Sequence, residues 1–220
     1  MNLSAARQLL LETLQRISSS GLSVGTTGNV SVRLEDGLLI SPSAMLSEDC
    51  TAADMVFLNL DGEIKEGGRK PSSEWRFHAD IYRQRPEAGA IVHTHASHCT
   101  ALACLGRGIP AFHYMVAIGG GEDIRCCGYE TFGTAALSEQ VLNALHERKA
   151  CLMGNHGMVC FDYNLESALQ LAVEIENLAG IYLNALQVGE PKLLSHEQMQ
   201  AALERFADYH NADSTLHDEN

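Results

Sequence analysis

The chain has 220 residues, 45% of them hydrophobic, which suits a single compact domain with a sizeable core. A formal net charge of −13 disfavours nucleic acid or an anionic membrane as a partner. The apolar runs are too short and interrupted for a transmembrane helix, and the amphipathic start lacks the apolar region of a secretory signal.

The first part of the chain predicts one helix and two hairpins. Apolar residues recur at helical spacing from Leu3 to Ile17, and the Ser18–Gly21 stretch ends that helix. A glycine-punctuated loop, VGTTGNVSVR, runs into an alternating strand that turns at EDG into LLISPS. MVFLNL, a DG turn and EIKEG predict the second hairpin.

The middle of the chain predicts helices between short strands. Glu74–Arg85 predicts a helix with a serine cap, ending before Pro86. AIVHTH predicts a strand, Ala96–Leu105 a helix, and IPAFHYMVAIGGG a strand with a glycine loop.

The last part predicts three helices and a strand pair. Leu137–Leu145 has helical spacing, and ACLMGNHGMVCF predicts two strand halves around a GNHG turn. Glu166–Gln187 predicts a long helix and Ser195–Tyr209 a shorter one, before a polar, frayed end. This order of elements predicts an α/β sandwich with a largely antiparallel sheet.

Seven cysteines occur without a C-x-x-C pair. In a chain without an export signal we expect reduced, mostly buried thiols and a cytoplasmic location. Cys126 and Cys127 would suggest a redox pair, but neighbouring cysteines rarely reach disulfide geometry without backbone strain.

Three histidines and one glutamate have a spacing that suits one divalent metal ion. His93 and His95 form a His-x-His pair, and an extended strand places both imidazoles on one face because side chains alternate with period two. His156 lies in the GNHG turn, and Glu74 begins a helix. Imidazole is the usual zinc ligand, and three protein ligands leave a position for substrate. An enzyme with a catalytic metal is therefore the leading interpretation.

Other histidines compete for these roles, and a polar strand face would also explain His93 and His95. His98 and His113 are near in sequence, but His98 lies off the His93/His95 face if the strand ends before it. His78 is one helical turn from Glu74 and could equally be a hydrogen-bond partner behind a ligand.

Three segments rich in hydroxyls and amides, TTGNVS, SPS and PSS, could hold a phosphate without lysine. In isolation, turn chemistry and helix capping explain them better. Beside a metal site they favour a phosphorylated substrate. No lysine lies in an apolar strand where desolvation would favour Schiff-base chemistry, so a metal acting as Lewis acid would activate a carbonyl.

These segments together resemble the class II aldolase/adducin family. The likeness runs over nearly the whole chain, and its most specific parts are PSSEWRFH, HTHASHCTA and HYM before a glycine run. The resemblance implies a three-layer α/β/α sandwich with a largely antiparallel central sheet. We expect one domain over residues 1–208 and a polar tail over residues 209–220.

The resemblance also implies roles for individual residues. One zinc ion per subunit would be held by His93, His95 and His156, with Glu74 as a weak fourth ligand and as the acid/base when substrate binds. The phosphate would be cradled by Gly28, Asn29, Ser43, Ala44, Ser72 and Ser73. The family usually reads T-P-T-G where this chain has Ser41-Pro42-Ser43-Ala44.

Aromatic residues would complete the site by the same resemblance. Tyr114 would donate a proton to the aldehyde oxygen from a neighbouring subunit. Phe132 and Tyr209 would line the aldehyde side, with Tyr209 as a further catalytic residue. The family further implies a homotetramer with sites at subunit interfaces.

The implied reaction is reversible cleavage of a ketose 1-phosphate, such as L-fuculose 1-phosphate, into dihydroxyacetone phosphate and an aldehyde such as L-lactaldehyde. An aldolase for another 5-deoxyketose 1-phosphate is a close alternative. Sugar-phosphate 4-epimerases, methylthioribulose 1-phosphate dehydratases and phosphotetronate decarboxylases share the fold, but the epimerases typically carry Asp in place of Glu74. A non-catalytic adducin-like module is disfavoured because all four metal-site residues are present. An unrelated zinc hydrolase would need a positioned water and an oxyanion site, and the sequence contains neither H-E-x-x-H nor a clear general base beside such a water.

Overall fold

An eight-stranded sheet forms the centre of the computed structural model, which describes residues 2–217 and the side chains of residues 2–208. The strands are β1 (Asn29–Leu34), β2 (Gly37–Ile40), β3 (Val56–Leu58), β4 (Ile64–Glu66), β5 (Ala90–Thr94), β6 (Arg125–Cys127), β7 (Ala150–Met153) and β8 (Gly157–Asp162). Their spatial order is β4-β3-β2-β1-β5-β8-β7-β6. Among the described strands only β6 and β7 pair in parallel, so the prediction of a largely antiparallel sheet is confirmed.

Helices cover both faces of the sheet. They are α1 (Leu3–Ser19), α2 (Trp75–Gln84), α3 (Ser97–Cys104), α4 (Ala135–Ala144), α5 (Leu165–Val188) and α6 (His196–His217). One apolar cluster joins α1, α3, α5 and α6 to the sheet, with Leu10 and Ile175 in its interior. A second cluster, which includes Ile81, joins α2 and α4 to the opposite face. Successive strand residues alternate between the two, as Ile91 and Val92 do, which confirms the three-layer α/β/α sandwich.

Side-chain caps set the starts of three helices. Asn2, Thr134 and Asn164 each accept a hydrogen bond from the backbone N–H three residues later, at the beginnings of α1, α4 and α5. Such caps satisfy N–H groups that have no partner within the helix. The helices predicted for these three segments are confirmed.

The start of α2 differs from the prediction. Its N-cap is Glu74, whose side chain makes no capping hydrogen bond, so the predicted serine cap is wrong. Ser72 instead accepts the backbone N–H of Glu74 through its Oγ at 3.3 Å, in the turn before the helix. The Glu74 carboxylate is thereby free to point away from the helix end and toward the sheet.

The apolar segment before the glycine run is also different from the predicted strand. Ile109 forms one isolated bridge with Ile124, and Tyr114–Gly119 is a 3-10 helix. The His113 side chain accepts the backbone N–H of Met115 at the start of this helix, and Gly120, with φ of 84°, ends it. The short strand β6 that follows was not predicted.

At the carboxyl end, α6 continues past the predicted end at Tyr209 to His217. The seven cysteines are all free thiols, including the adjacent pair Cys126 and Cys127. Within residues 2–217, no helix has the length and apolar character needed to cross a bilayer.

Candidate metal centre and active site

Four separate elements bring the predicted metal ligands together. His93 lies in β5, directly opposite Asn29 of β1 in the sheet register. His95 follows the last residue of β5, and His156 lies in the tight turn between β7 and β8. Glu74 stands at the start of α2, on the face of the sheet that this helix covers.

The four side chains converge on one point. Their potential ligand atoms all lie within 4.8 Å of one another. His93 Nε2 is 3.1 Å from His95 Nε2 and 3.1 Å from Glu74 Oε2, while His156 Nε2 is 3.4 Å from Glu74 Oε1. The three imidazole rings meet edge to face, with centroids 4.8–4.9 Å apart.

The orientation of His93 is fixed from behind by the sheet. Its Nδ1 lies 2.9 Å from the carbonyl oxygen of Met158 in β8, and a carbonyl can only accept. Nδ1 therefore carries the hydrogen, and Nε2 is the atom turned to the other ligands. A hydrogen bond of this kind is the usual way in which a metal-binding imidazole is oriented.

The charges of the group are strongly coupled. Burial alone would raise the pKa of Glu74, but His93, His156 and the amide of Asn29 lower this pKa to about 2. Burial works to lower the pKa of His93, yet the charge and hydrogen bond of Glu74 raise it overall. Burial, followed by repulsion from His93, lowers the pKa of both His95 and His156 to about 4. At neutral pH the Glu74 carboxylate is therefore ionised, and the imidazoles of His95 and His156 are neutral and able to bind a metal ion through a nitrogen lone pair.

These residues fit a divalent metal ion. Donor atoms around one tetrahedral zinc lie about 3.4 Å apart, which is close to the distances within the cluster. Glu74 Oε1 is buried and has no hydrogen-bond partner among the described residues, an arrangement that is costly unless a cation is near. Three imidazoles and a carboxylate are also the donor types that zinc prefers.

A cavity of about 560 Å³ opens beside the cluster. Its walls include Phe132. They also include every residue predicted to bind the phosphate, namely Gly28, Asn29, Ser43, Ala44, Ser72 and Ser73. None of the lining residues within the described part of the chain is lysine or arginine. An anion in this cavity would therefore be held by hydroxyls, amides and the metal, as the sequence suggested.

Backbone pairing joins the two serine-containing segments of this wall. The Ser43 N–H donates to the carbonyl oxygen of Lys70 at 2.9 Å, and the Ser72 N–H donates to that of Ser41 at 3.1 Å. Gly28, with φ of 79°, completes the wall at a point where a Cβ would lie 2.9 Å from the carbonyl oxygen of His93. Only glycine allows this close approach next to the metal cluster.

The competing histidines have other contacts. His98 faces Glu176 of α5, whose carboxylate lies 2.8 Å from His98 Nδ1. His113 caps the 3-10 helix, and His78 is buried behind the cluster, 2.6 Å from Asn29.

The three aromatic residues of the predicted site are placed differently from one another. Phe132 lines the cavity, with its side chain largely exposed. Tyr114 is 54% exposed, stacks near Phe206 of α6 and is absent from the cavity wall of its own chain. Tyr209 lies in α6, but its side chain is outside the described residues.

The cavity wall also contains six residues that were not among the predicted site residues: Thr26, Thr27, Pro42, Tyr129, Glu130 and Asn155. Tyr129 and Glu130 lie at the cavity rim, in the same YETFGT segment as Phe132. Their place in a motif shared with Phe132 was the available signal, because neighbouring residues of one loop reach the same cavity.

Comparison with known proteins agrees with this geometry. The model of the class II aldolase and adducin N-terminal domain matches residues 8–183. The chain belongs to this family. Class II aldolases depend on a metal ion and act on phosphorylated sugars. Because its relatives are aldolases, this member of the family is an aldehyde-lyase.

The relatives of this class II aldolase divide between two substrate types. A 5-methylthioribulose-1-phosphate/5-deoxyribulose-1-phosphate aldolase of Rhodospirillum rubrum is 52% identical over 93% of this chain and 92% of the relative. An L-fuculose phosphate aldolase of Escherichia coli K12 is 48% identical over 93% of this chain and 94% of the relative. A solved structure of L-fuculose 1-phosphate aldolase superposes with a TM-score of 0.90 at 36% identity, covering 92% and 96% of the two chains.

Proposed function

We propose that this class II aldolase is a zinc enzyme that reversibly cleaves a deoxyketose 1-phosphate into dihydroxyacetone phosphate and a short aldehyde. One candidate substrate is L-fuculose 1-phosphate, which the name of the solved relative gives. The others are 5-deoxyribulose 1-phosphate and 5-methylthioribulose 1-phosphate, which the name of the Rhodospirillum rubrum relative gives. We further propose a homotetramer in which neighbouring subunits complete each site.

The observation that carries the proposal is the position of the His93, His95, His156 and Glu74 cluster at the wall of a hydroxyl-rich cavity, whose lining among the described residues contains no lysine or arginine. Phosphate held in that cavity would place the adjacent carbons of a ketose next to the cluster. A zinc ion bound there would supply Lewis-acid stabilisation of the negative charge that develops on the substrate oxygens during carbon–carbon bond cleavage.

The protein residues have separate tasks in this scheme. Glu74, ionised at neutral pH, accepts and returns the proton at the carbon that becomes nucleophilic. The hydroxyls of Ser43, Ser72 and Ser73, with the amides near Gly28 and Asn29, bind the phosphate. Ala44 lies in the same wall and contributes its backbone.

The aromatic residues act on the aldehyde side. The phenol of Tyr114, reaching in from a neighbouring subunit, protonates the aldehyde oxygen during bond formation. Phe132 and Tyr209 shield this side of the site. Tyr129, which is exposed, and Glu130, which is half-buried, both line the cavity and would contribute to the choice of aldehyde.

The proposal is tested by offering the zinc-loaded protein dihydroxyacetone phosphate with L-lactaldehyde, acetaldehyde or methylthioacetaldehyde. Cleavage between C3 and C4 relates these aldehydes to the three candidate substrates in turn. We expect condensation with at least one, identified by mass spectrometry of the ketose phosphate formed. Lack of condensation with all three, in protein that holds one zinc per chain, would contradict the aldolase proposal.

Two variants separate metal binding from proton transfer. His95→Ala should lose both zinc and cleavage, because a neutral donor of the cluster is removed. Glu74→Gln should retain most of the zinc but lose hydrogen exchange between water and dihydroxyacetone phosphate, because the amide cannot accept the proton. Normal exchange in Glu74→Gln would show that another group is the base.

A further inference from the structure

A ladder of buried polar side chains runs behind the metal cluster, between α2 and β1. Glu74, His78 and Tyr82 follow one another at intervals of four residues from the start of α2. Asn29 and Ser31, two residues apart in β1, lie on the strand face that is turned to them. Four helical residues advance about 6 Å and two strand residues about 6.6 Å, so the two rows stay in step. We call this group the α2–β1 ladder.

The α2–β1 ladder is continuous. Asn29 Nδ2 lies 3.0 Å from Glu74 Oε2, and Asn29 Oδ1 lies 2.6 Å from His78 Nε2. His78 Nδ1 is 2.7 Å from Ser31 Oγ, which in turn is 2.8 Å from the Tyr82 hydroxyl. All five side chains are buried.

The direction of each hydrogen bond follows from its end at the carboxylate. Ionised Glu74 only accepts, so the amide nitrogen of Asn29 donates to it and the amide oxygen of Asn29 is left as an acceptor. His78 must then donate through Nε2. If His78 is neutral, its Nδ1 accepts from the Ser31 hydroxyl, which leaves the Ser31 oxygen to accept from Tyr82.

The environment of His78 favours this neutral form. Its ring is wholly buried and stacks on Phe77 with centroids 4.6 Å apart. Burial, followed by repulsion from His93, lowers the pKa of His78 to about 3. Within the part of the chain that the structure describes, no carboxylate contacts the ring to hold a second proton.

The two oxygens of Glu74 are consequently unlike. Oε2 accepts the hydrogen bond of Asn29, whereas Oε1 accepts none from the described residues and lies 3.4 Å from His156 Nε2. Oε1 is itself buried, and it lies beside His156, a residue of the cavity wall.

We propose that His78 is a positioning residue that fixes the amide of Asn29, so that Asn29 anchors Glu74 Oε2 and leaves Oε1 to exchange the proton with substrate. This inference rests on the proposed function, because it assigns a support to the base of that reaction. It also gives Asn29 a second task, since one Nδ2 hydrogen serves Glu74 and the other remains for the phosphate.

The hydrogen-bond direction is tested without any turnover. In protein labelled with ¹⁵N-histidine, NMR should show His78 as the neutral tautomer with hydrogen on Nε2, from pH 6 to 8. The signal is assigned by its loss in His78→Gln. A tautomer with hydrogen on Nδ1, or a charged ring, would overturn the α2–β1 ladder as described.

The positioning role is tested by two substitutions of His78. His78→Leu removes the donor to Asn29, and we expect hydrogen exchange on dihydroxyacetone phosphate to fall about tenfold or more in kcat, with little change in KM or zinc content. His78→Gln should recover much of this rate, because its amide nitrogen can take the place of Nε2. Ile81→Val, on the same buried face of α2 but outside the ladder, should exchange like the wild type and thereby excludes general loosening of the helix.

The outcomes separate the inference from the proposed function. Failure of the wild-type protein to exchange or condense would overturn the proposed function, and the proton-transfer role with it, while the tautomer would still decide the ladder. A wild-type rate in His78→Leu, in an otherwise active enzyme, would overturn the positioning role alone. Equal loss in His78→Leu and His78→Gln would do the same, because it would show that volume rather than the donor matters.

Discussion

Ala44 holds a backbone conformation that an alanine rarely adopts. Its φ is 54°, in the left-handed region, and the side chain is exposed at the cavity wall. In this region the Cβ crowds the following carbonyl oxygen, which costs roughly 1–2 kcal/mol for a residue other than glycine. Alanine, at the position where the resemblance to the family predicts the glycine of T-P-T-G, therefore adds strain to this segment.

Replacing Ala44 by glycine should remove that strain. We expect Ala44→Gly to raise the free energy of unfolding by about 1 kcal/mol, measured by urea denaturation of the metal-free protein. Ala201→Gly is the matched control, since Ala201 is exposed within α6 and its change should lower the free energy by about 0.5–1 kcal/mol. A destabilised Ala44→Gly variant would show that the methyl group makes contacts that outweigh the strain.

The metal cluster could be predicted from residue types, whereas the pairing of the groups behind it could not. Histidine pairs and an isolated glutamate are distinctive enough to be picked out before any fold is known. The sequence offered His78 as a hydrogen-bond partner behind a ligand and Asn29 as a phosphate residue, but it did not indicate that these two distant residues contact each other. Their pairing depends on the register of β1 against α2, which local sequence does not determine.

At the scale of elements, the turn between β7 and β8 controls where His156 lies. Asn155 has φ of 53°, a left-handed conformation that asparagine tolerates well. Gly157 begins β8 where it passes the end of β5, and a Cβ there would lie 2.3 Å from the carbonyl oxygen of Thr94 and 3.2 Å from the His95 ring. A side chain at position 157 would thus force apart the two elements that carry His95 and His156.

Gly157→Ala should weaken metal binding without removing any ligand. We expect the zinc affinity to fall about tenfold or more, because small displacements of ligands are costly. Competition with a chromophoric chelator measures it. Gly68→Ala is the control, since Gly68 has open space around its Cβ position and lies far from these strands in sequence. Unchanged affinity in Gly157→Ala would mean that the end of β5 adapts to the extra carbon.

Elements with clear periodicity or turn signals were the predictable part of the fold. Helices α1, α4 and α5 and the hairpins agree with their sequence patterns. The prediction of a strand before Gly120 was wrong because an apolar run alone does not distinguish a strand from a short helix. The His113 cap and the left-handed Gly120 set the two ends of this 3-10 helix, and the apolar pattern of the sequence does not indicate either of them.

At the scale of the whole molecule, one chain by itself has an incomplete site if Tyr114 is the proton donor. Its ring is 54% exposed and lies outside the cavity wall of its own chain. Tyr129 and Phe132, at the rim of that cavity, are also more than 60% exposed, at 62% and 63%. Exposed aromatic residues at a cavity rim are suited to contact with a second copy, as in the proposed homotetramer, where Tyr114 of one chain would reach Glu74 of another.

Mixed oligomers test this arrangement. Glu74→Gln and Tyr114→Phe chains, each nearly inactive alone, should regain activity when co-assembled, because about a quarter of the shared sites would contain both wild-type residues. Condensation rate per zinc, compared with the mean of the two parents, measures the gain. Co-assembly of Glu74→Gln with His95→Ala is the control. Each chain then carries one defect in its own metal cluster, so no cluster is fully wild type and the rate should stay at the parental mean. If Tyr114 served the site of its own chain, every site in the first mixture would carry one of the two defects, and the rate would stay at the parental mean.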